Sequence, residues 1–229
     1  WMELPTGIVV SGKDAESRAY VLKLRKSLYG LKQASLNWFE KLKQGLMDRG
    51  FTPSEIDPCL YLKENMVLLT YVDDCIIISP SRASIDRLIL SMQSGPENFK
   101  LTDEGGVNKF LGVEITRLDD NSFELSQPFL IDRILNFLGL CNNEFETDAN
   151  SMSTPVAKGL LHRDLDGKPR KYAWKYRMAV GMLSYLQNTS RPKISMALHQ
   201  TARFSNNPML SHEKSIMRIG QYLLDTRKR

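Results

Sequence analysis

Apolar residues along this chain switch between continuous runs of strand length and the three-to-four-residue repeat of a helix, and each switch marks an element. Residues 66–72 (Met-Val-Leu-Leu-Thr-Tyr-Val) and 75–79 (Cys-Ile-Ile-Ile-Ser) are β-branched and aromatic runs that predict two strands. Asp73 and Asp74 separate them, which predicts a tight hairpin with two adjacent carboxylates at its tip. Helical spacing flanks this hairpin on both sides. Trp38, Phe39, Leu42 and Leu46 recur within residues 35–49, with Gly50 as a stop. Ile85, Leu88, Ile89 and Met92 follow the i, i+3, i+4, i+7 rule, with Ser81 or Ser84 as cap and Gly95-Pro96 as terminator.

The pattern also predicts short strands at 20–24 and 59–62, the former preceded by a polar loop or hairpin at 11–18. Residues 99–101 read as short and extended. Residues 108–118 and 122–125 flank Asp119-Asp120-Asn121 and read as a hairpin. Ser126 is expected to cap a helix with Phe129, Leu130, Ile134, Leu135 and Leu138 on one face, ending at Gly139. The polar stretch 141–155 and the Gly/Pro/charge-rich piece up to Arg170 read as a linker or long loop. Helical patterns then occupy 176–186, 194–204 and 212–224. The order is mixed α+β first and mostly α afterwards, an α+β fold.

Composition narrows the class. With 229 residues, 42% hydrophobic and 25% charged, the chain is long enough for one large or two small domains with real cores. No apolar run approaches the length of a membrane span and the N-terminus does not read as a signal peptide, so the expectation is an intracellular protein with no membrane partner. The three cysteines, Cys59, Cys75 and Cys141, are odd in number and far apart, and indicate neither a disulfide framework nor a zinc site. The net charge of +5 permits a polyanionic partner without requiring one. Its placement says more. Lys23, Arg25, Lys26 and Lys32 surround Ser27-Leu28-Tyr29-Gly30, residues 168–177 interleave basic side chains with Tyr172, Trp174 and Tyr176, and Thr226-Arg227-Lys228-Arg229 closes the chain. Such clusters suit phosphate contact with base or sugar packing, and equally suit a solvated surface. A start at Trp1 and a stop in a basic run after a helix suggest a piece of a longer polypeptide.

Adjacent carboxylates at a hairpin tip suit hard cations, as in two-metal phosphoryl transfer, but Asp is also favoured in ordinary solvated turns. The pair alone leaves both readings open. Its companions add a resemblance. Leu24 to Gln33 (Leu-Arg-Lys-Ser-Leu-Tyr-Gly-Leu-Lys-Gln), Tyr71-Val72-Asp73-Asp74, Phe110-Leu111-Gly112-Val113-Glu114-Ile115, Ser126-Gln127 and the stretch from Tyr176-Arg177 to Arg191-Pro192 occur in the order of one family. Together they resemble the reverse transcriptase of copia-type long-terminal-repeat retrotransposons over essentially the whole chain.

The resemblance implies a polymerase palm, a ferredoxin-like antiparallel sheet packed on helices with its first strand missing, followed by a mainly helical thumb and connection region. Residues 1–125 would form the partial fingers and palm, and 126–229 the thumb and connection, ending before an RNase H domain. Asp73 and Asp74 would be the catalytic and metal-binding pair for two Mg²⁺ ions, with Mn²⁺ as a possible substitute. Tyr29 and Gly30 would face the incoming nucleotide, Lys32 would contact phosphate or template, and Val72 would pack near the primer end. Phe110, Leu111 and Gly112 would grip the primer. Implied partners are an RNA or DNA template with its primer, deoxynucleoside triphosphates and the rest of a Pol polyprotein; the implied location is a cytoplasmic virus-like particle or the nucleus.

Three departures qualify the expectation. The family has a third carboxylate on an upstream strand followed by Ala-Phe, and Trp1-Met2-Glu3-Leu4-Pro5 is similar to the segment just after it. That places the Asp before residue 1, since Asp14 and Glu16 lie in a polar, loop-like setting, and these 229 residues alone are expected to be inactive. The missing strand would also leave an unpaired apolar edge, so the isolated piece is expected to be poorly soluble or to dimerise. Finally, Lys193 stands where the family usually has Asp, and Ser35 where it usually has Pro. The alternative function is a non-catalytic nucleic-acid-binding remnant or domesticated scaffold. A metal-dependent nuclease is disfavoured by the dispersal of His162, His199 and His212.

Overall fold

A computed structural model describes residues 1–7, 20–141, 152–156 and 159–227. These form two compact units, Trp1–Glu104 and Gly105–Arg229. The expected loop or hairpin at 11–18, Asp14, Glu16, most of the polar stretch after Cys141 and the last two basic residues lie outside the described residues.

In the first unit, β1 (Met2–Glu3) pairs antiparallel with β2 (Val21–Leu22), which is shorter than the predicted strand at 20–24. Helix α1 (Ala34–Met47) follows, then a four-stranded antiparallel meander in sequence order: β3 (Thr52–Pro53), β4 (Leu60–Lys63), β5 (Met66–Tyr71) and β6 (Asp74–Ile78). Helix α2 (Arg82–Ser94) closes the unit.

The periodicity that predicts the two helices also predicts their buried faces. Leu42 and Leu46 of α1 and Leu88 and Met92 of α2 meet Tyr61 and Leu68 from the sheet, with Phe51 and Phe99 completing the core. Each such side chain, fully buried, contributes roughly 1.5–3 kcal/mol. Phe99, expected in an extended segment, is in no strand; it turns inward and meets Trp38 edge-on, with ring centroids 5.9 Å apart. The pairing Leu62↔Val67↔Ile78 puts those three residues on one face of the sheet, where Leu62 and Ile78 are exposed.

The second unit begins with a three-stranded antiparallel sheet, β7 (Lys109–Phe110), β8 (Val113–Arg117) and β9 (Phe123–Ser126). Residues 108–118 are therefore not one strand, because the chain reverses at Leu111-Gly112. This sheet shares its unit with the helices that follow it.

Helices α3 (Pro128–Leu138), α4 (Tyr176–Thr189), α5 (Ser195–Ala202) and α6 (Leu210–Asp225) supply the larger core, including Ile134, Leu138, Leu183, Leu198, Ile219 and Leu223. Gln127, not Ser126, precedes α3, and its side chain accepts from Ser190 Oγ at 2.9 Å instead of capping the helix. No described helix is long and apolar enough to cross a membrane.

The Gly/Pro/charge-rich piece before Arg170 is a loop, as expected, but one anchored to the start of α6. Leu210 N–H donates to Lys168 O at 2.9 Å, Ser211 Oγ to Asp164 at 2.7 Å, and the buried His212 lies 3.0 Å from His162 O through Nε2.

Candidate active site

The carboxylate pair divides between two kinds of backbone. Tyr71 and Asp74 face each other as the last register pair of β5 and β6, leaving Val72 and Asp73 as the two residues of the turn. Asp74 is thus the first strand residue and Asp73 the turn residue, and both are exposed.

Val72 has φ +54°, the left-handed region that β-branched residues avoid. Positive φ at the first turn position alone is the sign pattern of a type II′ hairpin, where glycine is usual. Such a residue costs about 1–3 kcal/mol and persists only where its surroundings fix it. Here the surroundings include Trp38 of α1, whose Nε1–H donates to the Val72 carbonyl at 2.7 Å.

Cys75, next along β6, has its thiol pushed up to about 11, by desolvation first and then by the charges of Asp74 and Asp73. It stays protonated at neutral pH although its residue is exposed. Among the described residues no group of three or more His, Cys, Asp or Glu side chains could hold a metal ion. The pair's hard oxygens match Mg²⁺, which commonly takes one or two protein carboxylates and completes its shell with water and substrate phosphate.

The block from Leu24 to Gln33 runs through turns into α1. Leu31 N–H bonds to Leu28 O at 3.2 Å, enclosing Tyr29, which is fully exposed, and Gly30, at φ +88°, and Ala34 N–H bonds to Leu31 O at 3.0 Å around Lys32 and Gln33. Lys32 is exposed as well. Asn37 Nδ2 donates to Ser27 Oγ at 2.9 Å, so neighbouring residues of α1 bond to this block and to the hairpin turn.

In the second unit, Phe110 pairs with Val113, and Leu111 and Gly112 form the turn between them with φ +50° and +78°. Two positive φ values are the type I′ pattern, and glycine at the second position suits it. Tyr185 of α4 donates its hydroxyl to Leu111 O at 2.7 Å. The sequence pattern places Trp38 only on an apolar helix face and gives Tyr185 no role. The available signal was an aromatic ring with a polar atom on a helix, a residue type that takes a hydrogen-bond partner when packed.

The second basic cluster is structural in large part. Arg170 donates to the fully buried Glu213 at 3.1 Å and to the carbonyls of Tyr172 and Trp174, while lying 4.5 Å from the Trp174 ring centroid. Trp174 stacks on Tyr176, and Tyr176 is buried with its hydroxyl on Thr201 O. Arg177 donates to Ser205 O and Asn206. The Trp174 and Tyr176 rings thus pack within the protein. Lys171 and Lys175 remain exposed, as do Lys23, Arg25 and Lys26 in the first cluster.

The family described as reverse transcriptase (RNA-dependent DNA polymerase) matches residues 1–158, more than two thirds of the chain and both hairpins. The chain belongs to the reverse transcriptase family. It is similar to the retrovirus-related Pol polyprotein from transposon TNT 1-94 of Nicotiana tabacum, 32% identical over 99% of this chain and 17% of that protein. It is also similar to the Pol polyprotein from transposon RE1 of Arabidopsis thaliana, 31% identical over 99% of this chain and 15% of that protein. The putative transposon Ty5-1 protein YCL074W of Saccharomyces cerevisiae is 29% identical, over 99% of this chain and 71% of its own length. This reverse transcriptase chain thus spans less than a fifth of the two Pol polyproteins. No solved structure matches it.

Proposed function

We propose that the full-length protein is an RNA-directed DNA polymerase that adds deoxynucleotides to a primer 3′-hydroxyl, with Asp73 and Asp74 at the reacting end. The observation that carries this reading is the exposed hairpin turn that presents both carboxylates, in a chain of this family.

Asp73 and Asp74 would hold Mg²⁺, or Mn²⁺ in its place. When bound, such ions lower the pKa of an attacking hydroxyl and stabilise charge on a transferring phosphate. The chain's own contribution is placement. The β5–β6 ladder fixes Asp74 as a strand residue, and the turn sets Asp73 one residue away at the exposed tip. A further carboxylate is expected from outside the described residues, and the resemblance puts it ahead of Trp1.

Val72, exposed beside the pair, would contact the primer end. Tyr29 and Gly30 would face the incoming nucleotide, with Lys32 toward its phosphates. The Phe110-Leu111-Gly112 turn would grip the primer. Residues 1–125 would act as partial fingers and palm and 126–229 as thumb and connection, within a Pol polyprotein that also carries RNase H. The working location would be a virus-like particle or the nucleus. Extension of a primed RNA template by the full-length protein in Mg²⁺ tests the reading, with Asp73→Asn as the decisive variant.

A further inference from the structure

Five described residues other than glycine have positive φ: Glu64, Val72, Asn98, Leu111 and Asn121. Asn adopts this region at little cost. Val72 and Leu111 are the two apolar members, both exposed and each first in a two-residue hairpin turn. The same two carbonyls accept a hydrogen bond from an aromatic side chain of a helix in their own unit, Trp38 Nε1 in one case and Tyr185 Oη in the other, each at 2.7 Å.

We propose that Trp38 and Tyr185 are positioning residues that lock the two hairpin turns in their left-handed conformations. The Val72 carbonyl belongs to the peptide plane that joins Val72 to Asp73. Pinning that oxygen fixes the plane, and with it the direction in which the Asp73 side chain leaves the backbone. Trp38 is suited to the task because its ring is half-buried and meets Phe99 edge-on, so the donor is attached to the core, not to a mobile side chain. Asn37, beside it on α1, bonds to Ser27 in the block that carries Tyr29 and Gly30. One helix therefore holds both the carboxylate turn and the nucleotide block. Tyr185 does for the Leu111-Gly112 turn what Trp38 does for Val72-Asp73. The catalytic consequence rests on the polymerase reading; the clamps themselves do not.

The test uses Trp38→Phe, which replaces the indole by a smaller aromatic ring and removes the N–H, and Tyr185→Phe, which removes only the hydroxyl. In the full-length, metal-free protein, hydrogen–deuterium exchange in a peptide covering 71–75 should rise about tenfold in W38F, with α2 unaffected. Y185F should do the same for 110–113. In primer extension W38F should lower kcat about tenfold while KM for the nucleotide stays within about twofold.

Unchanged exchange at both turns overturns the proposal. So does a loss of kcat that merely follows a lowered Tm. Faster exchange at the turns in variants of a protein that itself extends no primer supports the clamps and sinks the polymerase reading, which keeps the two failures apart.

Discussion

Arg170 and Glu213 lie 43 residues apart and meet at 3.1 Å, with the Glu213 side chain fully enclosed. Glu213 also accepts the backbone N–H groups of Lys171 and Tyr172, at 2.9 and 3.1 Å. A basic, aromatic segment that the sequence offers as a nucleic-acid platform is thereby held down on α6. Replacing Glu213 with Ala leaves Arg170 and two N–H groups without their acceptor and should destabilise the protein by about 3–5 kcal/mol. Chemical denaturation of the purified variant measures this; a change below about 1 kcal/mol would show the pair to be dispensable.

The first unit has an acid-sensitive fastening between its helices. Arg49, just past α1, donates to Ser91 on α2 and pairs with Glu97 at 3.2 Å, while Lys41 donates to Glu97 O. The Glu97 carboxyl is held below its usual pKa, by its own backbone N–H first and by Arg49 and Lys41 after that. A depressed carboxyl stabilises the fold above its unfolded pKa of about 4.3 and loses that contribution as pH falls through the folded value. The Tm gap between wild type and Glu97→Gln should therefore be present at neutral pH and close in acid. A gap of constant size across that range would contradict the assignment.

Nucleic-acid affinity should depend on salt mainly through side chains that remain free of internal duties. Arg25→Gln with Lys26→Gln is expected to flatten the plot of log affinity for a primer–template against log salt, by about 0.9 for each phosphate that the variant no longer neutralises. An unaltered slope in filter binding would make the first cluster a solvated surface only.

The sheet face carrying Leu62, Val67 and Ile78, on a meander with β6 as one of its edges, should make residues 1–229 self-associate when produced alone. Leu62→Thr with Ile78→Lys is expected to shift sedimentation toward monomer. A wild-type chain that is already monomeric and melts cooperatively would rule this out.

Much of this architecture is written in local pattern. The β5–β6 hairpin, α1, α2, α3 and α6 follow from runs and repeats in which each residue's neighbours along the chain are also its neighbours in space. The break at Leu111-Gly112 is hidden because Phe110 to Ile115 is nearly continuous in apolar character, and Gly112 in the second turn position was the available signal. The left-handed Val72 is unannounced, since valine is the wrong residue for that conformation. What fixes it is Trp38, 34 residues away, and no periodicity records such a contact. The partnership of Arg170 with Glu213, 43 residues apart, leaves no trace in the local pattern for the same reason.

The proposed function assigns Asp73 and Asp74 to polymerisation. Single-nucleotide extension of a primed RNA template by the full-length protein, wild type against Asp73→Asn, tests it most directly. The expected result is Mg²⁺-dependent extension that falls by about a thousandfold or more in the variant, with primer–template binding unchanged. Extension that survives the substitution would rule out a catalytic role for Asp73.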